Sequence, residues 1–131
     1  MRALEKEACN PPCEEIMGQL EPAFRLRIFL GEDDKYHGRP LYEEIVVRAQ
    51  QSRLAGATVF RGNLGYGAAG LDAAKLLRRS NNVPIVVEIL DTERKVNAFL
   101  EYLGGLLTSG VATVEQVQMR RYSPKRASSA Q

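Results

Sequence analysis

From Phe24 to Leu30 apolar and charged residues alternate, with Phe24, Leu26, Ile28 and Leu30 on one side and Arg25 and Arg27 on the other. A period of two with a single apolar side predicts a half-buried β-strand. The stretch 31–39 is polar and bounded by glycines, so it reads as a loop, and Pro40 then takes the first-turn position that a helix tolerates. In the helix that follows, Leu41, Ile45 and Ala49 repeat at spacing four, Glu43 and Glu44 sit near the positive end of the dipole, and Gly56 supplies the stop. Ala57–Arg61 is β-branched and aromatic and predicts a second strand, which runs straight into Gly62, Gly65, Gly67 and Gly70. Residues 71–79 carry a weakly helical pattern. After the Asn81–Asn82 turn, Pro84 can open a strand without breaking its ladder, which predicts a third strand over 83–90. Asp91 suits the N-cap of a second helix. Its stripe is Val96, Phe99, Leu100, Leu103 and Leu107, with Gly104–Gly105 inside it and Gly110 closing it. A last strand is predicted over 114–122, followed by a polar, basic tail, 123–131.

The order strand, helix, strand, glycine-rich excursion, strand, helix, strand predicts an α+β fold. It is the ferredoxin-like plait, βαββαβ, in which two helices cover one face of a four-stranded antiparallel sheet. Each strand should then be apolar on one side only. The third strand departs from this: Ile85, Val87 and Ile89 take one face, and Val86 and Leu90 the other. Burying each such side chain is worth about 1.5–3 kcal/mol, so a symmetric homo-oligomer is expected to cover the second face. The expected organisation is an N-terminal extension, 1–23, a single folded domain, 24–122, and the flexible tail, 123–131.

A length of 131 residues fits one domain, and the 44% hydrophobic and 26% charged composition is ordinary for a globular chain. The formal charge of +2 comes without a basic stripe interleaved with aromatics, which argues against nucleic-acid binding. Acids at Glu5 and Glu7 fall where a signal peptide needs an apolar stretch, and no apolar run is long enough to span a bilayer, so a cytoplasmic protein is expected. Cys9 and Cys13, at C-x3-C spacing, lack the further ligands of a zinc site and are read as thiols in a reducing compartment.

Gly65–Gly70 spells G-x-G-x-x-G after a strand, but the elements that remain are too few for a dinucleotide-binding half. A looser use fits better: glycines remove the Cβ atoms that block close approach, so backbone N–H groups can surround a phosphate or carboxylate. The loop Glu32-Asp33-Asp34-Lys35-Tyr36-His37 gathers three carboxylates and the single histidine, yet it lacks the glycine and terminal Glu spacing of an EF-hand. Tyr36, His37 and Arg39 are therefore assigned to the edge of a ligand cleft. No G-x-S-x-G elbow or catalytic cysteine context is present, so no catalytic residues are assigned, and an enzyme built on Tyr36, His37 and the acidic loop is the least favoured reading.

Several blocks in order resemble one family: Gly56-Ala-Thr-Val-Phe-Arg-Gly62 leading into Gly65-Tyr-Gly67, Leu30 to Tyr42, and Pro84 to Asp91. Over 24–122 the chain resembles the PII-like signalling family catalogued as domain of unknown function 190. The resemblance implies a ferredoxin-like fold, a homotrimer and ligand sensing without turnover, acting on a protein target such as a membrane transporter. PII regulators hold adenine nucleotides in clefts between subunits. Thr58-Val59 and Gly65-Tyr66-Gly67 are similar to two elements of that site, one residue further apart here, with Arg61 beside them and Arg120 and Arg121 as the basic residues near the C-terminus. The second phosphate loop of that family has no counterpart in Thr108–Thr113, which holds one glycine and no lysine. The resemblance thus implies a ligand with fewer phosphates than ATP, such as AMP or another adenine nucleotide, or no nucleotide. Gly70, Lys75, Arg78 and Arg79 occupy the place of the loop that grips target proteins. The alternative is a protein-interaction scaffold that uses the same excursion without a small molecule.

Overall fold

The structure, a computed structural model, describes residues 19–65 and 83–122. Strand β1 spans Glu21–Gly31, and a short hairpin follows, β2 (Lys35–Tyr36) and β3 (Arg39–Pro40). Helix α1 is Leu41–Gln51, β4 is Ala57–Arg61, β5 is Pro84–Asp91, α2 is Glu93–Leu103 and β6 is Val111–Met119. The four long strands form one sheet in the order β4-β5-β1-β6, and β5 runs antiparallel to both β1 and β4. This is the antiparallel sheet of the ferredoxin-like plait, with two helices among the described residues, as the pattern of the sequence predicts. By internal contacts the chain divides into a compact unit, Ala23–Val117, and a second unit to which the described residues 19–22 and 118–122 belong. In the second unit Arg121 Nε lies 2.9 Å from Glu21 Oε1, and the Arg120 guanidinium lies over the Tyr122 ring at 5.0 Å.

One apolar side of each central strand makes the core. Leu26, Ile28 and Leu30 of β1 and Ile85, Val87 and Ile89 of β5 are buried against Leu41, Ile45 and Ala49 of α1 and Val96, Phe99 and Leu103 of α2. The opposite side carries the residues between. Register places Phe60, Val86 and Phe29 in one row across β4, β5 and β1, and Thr58, Glu88 and Arg27 in the next. Phe29 and Phe60 are 42% and 50% exposed, so the second apolar face expected from β5 is present and widens onto its neighbours. Beside the aromatic row, Arg27 contacts Glu88 at 2.8 Å, and Arg25 contacts Glu115 of β6 at 2.6 Å.

Local details differ from the sequence expectation in several places. The polar loop contains the β2–β3 hairpin, whose turn residues His37 and Gly38 have φ of 50° and 81°. Two successive left-handed residues match the twist of paired strands in a two-residue turn. Pro40 is the N-cap of α1, one position before the expected first turn, and the Leu41 N–H donates instead to the Asp34 carbonyl at 2.8 Å. Helix α1 stops well before Gly56. Arg53 takes the left-handed conformation (φ 59°), its N–H donates to Gln50 O, and the Leu54 N–H donates to Ala49 O, which together form a Schellman motif without glycine. Asp91 is the last residue of β5 and Thr92 caps α2, because the inward alternation of Ile85, Val87 and Ile89 continues to position 91. The buried Asp91 carboxylate accepts the N–H groups of Thr92 and Ala55, each at 2.7 Å, and so ties the α1–β4 connection to the start of α2. Gly104–Gly105 end α2 rather than interrupt it, and Leu106 and Leu107 reach the core from the turns beyond. Strand β6 then starts earlier than expected, at Val111, directly after Gly110, whose φ of 117° suits glycine alone and whose absent Cβ would lie 3.1 Å from Phe29 O.

Candidate ligand site at one end of the sheet

Antiparallel pairing brings several strand ends to one place. Gly31 stands opposite Pro84 and Arg61 opposite Ile85, so the ends of β1 and β4 meet the beginning of β5. The Gly62 N–H donates to Pro84 O at 2.8 Å, and the Glu32 N–H donates to Val83 O at 2.9 Å. Gly62 is required here by close approach: a Cβ at this position would lie 2.7 Å from Pro84 Cγ, inside van der Waals contact with a ring that cannot rotate away. Gly65 packs over the same ring, where a Cβ would meet Pro84 Cγ at 3.2 Å. Both glycines let the chain leave β4 flat against the proline.

Arg61 is the charged group of this corner. Its Nη1 donates to Glu32 Oε1 at 2.6 Å, its Nη2 reaches Tyr42 Oη at 3.4 Å, and the guanidinium lies 6.0 Å from the centre of the Tyr42 ring. The hydrogen bond to Glu32 raises the Arg61 pKa further above its already high value, so the group is a fixed positive charge. The arginine is half exposed, and its guanidinium has donors left for an incoming anion.

A second charged group joins the hairpin to α1. Glu44 is buried, its Oε1 accepts from Arg48 Nε at 2.9 Å, and Arg39 Nη2 approaches its other oxygen at 3.6 Å. The hydrogen bond from Arg48 holds the Glu44 carboxyl below the usual carboxylate range against the opposing effect of burial, and the charges of Arg39, Arg48 and His37 add in the same direction. The Arg48 guanidinium also lies over the Tyr102 ring at 5.6 Å, and Tyr36 meets His37 edge to face at 4.2 Å. Glu44 is the residue of this region that sequence reasoning missed. Its signal was present, because position 44 adjoins the buried Ile45 and precedes Arg48 by one helical turn.

Of the residues assigned from the sequence, Arg61 and Gly65 come together at the base of the excursion. Thr58 and Val59 point to opposite faces: Thr58 is exposed opposite Glu88, whereas Val59 packs on the core opposite Val87. The Val59 side chain is thereby committed to the core, and only its backbone is available to a ligand. Tyr36, His37 and Arg39 lie on the hairpin, where Arg39 is directed to Glu44. Arg120 and Arg121 belong to the second unit. Tyr66, Gly67, Gly70, Lys75, Arg78 and Arg79 lie outside the described residues, as do Cys9 and Cys13. Among the described residues no group of three His, Cys, Asp or Glu side chains could hold a metal ion, and no helix is long and apolar enough to cross a membrane.

The plait, with a glycine-lined strand exit beside an arginine, makes this an α+β protein of ferredoxin-like fold. The chain belongs to the family of domain of unknown function 190, described as an uncharacterized ACR, whose model matches residues 23–119. A UPF0166 protein of Aquifex aeolicus is 41% identical over 95 residues, 72% of this chain and 90% of the relative. Another, from Methanocaldococcus jannaschii, is 36% identical over 78 residues, 60% of this chain and 72% of the relative. Among solved structures, CPII of Thiomonas intermedia K12 bound to ADP and bicarbonate matches with a TM-score of 0.59 at 22% identity, covering 78% of this chain and 92% of CPII. A PII-like signaling protein candidate from Thermus thermophilus matches with a TM-score of 0.55 at 18% identity, covering 78% and 93%. At these identities the structural matches show the fold.

Proposed function

We propose that the chain is a cytoplasmic, PII-like regulatory protein that binds a small anionic ligand at the Arg61–Gly65 corner and modulates a protein target. The observation that carries this reading is the convergence there of a half-exposed arginine with two glycines packed flat on Pro84, which together offer charge and unobstructed backbone. The ligand class is an adenine nucleotide with fewer phosphates than ATP, AMP first, because Thr108–Thr113 holds no lysine for a further phosphate. CPII structures with ADP, AMP and bicarbonate support the class. The assembly is a homotrimer that covers the Phe60–Val86–Phe29 row, so that the adenylate lies in a cleft between subunits. Thr58, Tyr66 and Gly67 complete the site, and Tyr36, His37 and Arg39 form its rim. Gly70, Lys75, Arg78 and Arg79 meet the target, for which a membrane transporter is the working candidate.

The test is a thermal-shift panel of AMP, ADP, ATP, cyclic AMP, bicarbonate and phosphate on the purified protein. A ligand specific for the folded state at one hundred times its Kd adds about 2.7 kcal/mol of stability. Stabilisation by one adenylate that is lost in Gly67→Val supports the reading. No shift with any compound would replace it with the scaffold alternative.

A further inference from the structure

Three links join the ends of β1, β4 and β5 around the corner. Two are backbone hydrogen bonds, Gly62 to Pro84 and Glu32 to Val83. The third is the ion pair of Arg61 with Glu32, formed by side chains alone, with Arg61 54% and Glu32 23% exposed. Ion pairs this open to water are weak and exchange readily for another partner of the same charge. The Glu32 carboxylate occupies Nη1 at 2.6 Å, while among the described residues Nη2 has only the long contact to Tyr42. A carboxylate is also the same kind of acceptor for a guanidinium as a phosphate or bicarbonate oxygen.

We propose that Glu32 is a built-in competitor for Arg61, a specificity-determining residue that fills the anion position in the free protein and must give it up when an anionic ligand binds. This rests on the anion-binding reading above. The backbone bond of Glu32 to Val83 keeps the displaced carboxylate close to the corner, where it opposes an incoming anion twice, as the occupant of the donor and as a like charge. Glu32 therefore sets a threshold. A phosphate group, which carries more charge and more acceptor oxygens, competes for Arg61 better than a monoanion such as acetate.

The experiment is calorimetric titration of AMP and ADP into the full chain at fixed ionic strength, for wild type, Glu32→Gln, Arg61→Gln and the double variant, with acetate as the monoanion control. Melting curves of the unliganded variants check that each is folded, as expected for changes at the exposed Arg61 and the partly buried Glu32. Glu32→Gln is expected to tighten AMP binding about three- to tenfold. Arg61→Gln is expected to weaken it, and Glu32→Gln should gain much less in the Arg61→Gln background, because the two residues act as a pair. If wild type binds AMP and Glu32→Gln binds it no better, the competitor role is wrong while the adenylate site stands. If the gain is the same with and without Arg61, Glu32 acts as a general surface charge and the proposal also falls. If no adenylate binds any of the four proteins, the anion-binding reading fails, and the competitor role with it.

Discussion

Single residues in this chain hold conformations and charges that the bulk pattern does not reveal. Arg53 carries the left-handed turn that ends α1, a conformation that costs a residue with a Cβ about 1 kcal/mol relative to glycine. Arg53→Gly should therefore raise stability by about 0.5–1 kcal/mol in a denaturant titration; the hydrogen bond from Lys95 Nζ goes to the backbone carbonyl of residue 53 and survives the change. Glu44 makes an opposite case. Its carboxyl titrates below its unfolded value, so its contribution to stability is present above about pH 4.3 and is lost as the pH falls through the folded-state value. Glu44→Gln should lower the melting temperature at pH 7 and narrow its gap to wild type by pH 3, and a constant gap across that range would contradict the role. The left-handed residue at 53 is not legible in the sequence, since arginine carries no signal for it.

Secondary elements were legible where periodicity was strong, and their ends were not. The buried positions of β1, β5 and α1 follow from alternation and from spacing four, and β4 was placed residue for residue. The ends of α1 and α2 and the start of β6 were displaced because backbone conformation at Arg53, Gly104 and Gly110 set them, and glycine content alone does not say which glycine is used. At Gly110 the requirement is double, a positive φ and contact with Phe29 O, so Gly110→Ala should destabilise by about 1–3 kcal/mol. The candidate site was legible in part. Arg61 and Gly65 stood in the marked segment, but Glu32 is brought to them from just beyond the end of β1 by strand pairing and Tyr42 from the start of α1, long-range facts that no local pattern encodes.

For the molecule as a whole, the uncovered side of the sheet makes the sharpest prediction. A cross-strand row of Phe60, Val86 and Phe29 is flanked by the pairs Arg27–Glu88 and Arg25–Glu115, so apolar area and charges of both signs lie side by side. If copies of the chain associate through this face, Phe60→Glu should shift the sedimentation coefficient to that of a monomer and leave the circular dichroism of the fold intact, because the ring is half exposed in the single chain. An unchanged oligomer would move the interface elsewhere. One contact at the corner also carries a consequence for how such chains can diverge. Position 62 and position 84 share a single space, so a side chain at 62 cannot appear alone: a chain that acquires one has to give up the ring at 84. The lesion of Gly62→Ala should accordingly be relieved by Pro84→Ala, a pairing that a survey of relatives would show as correlated change.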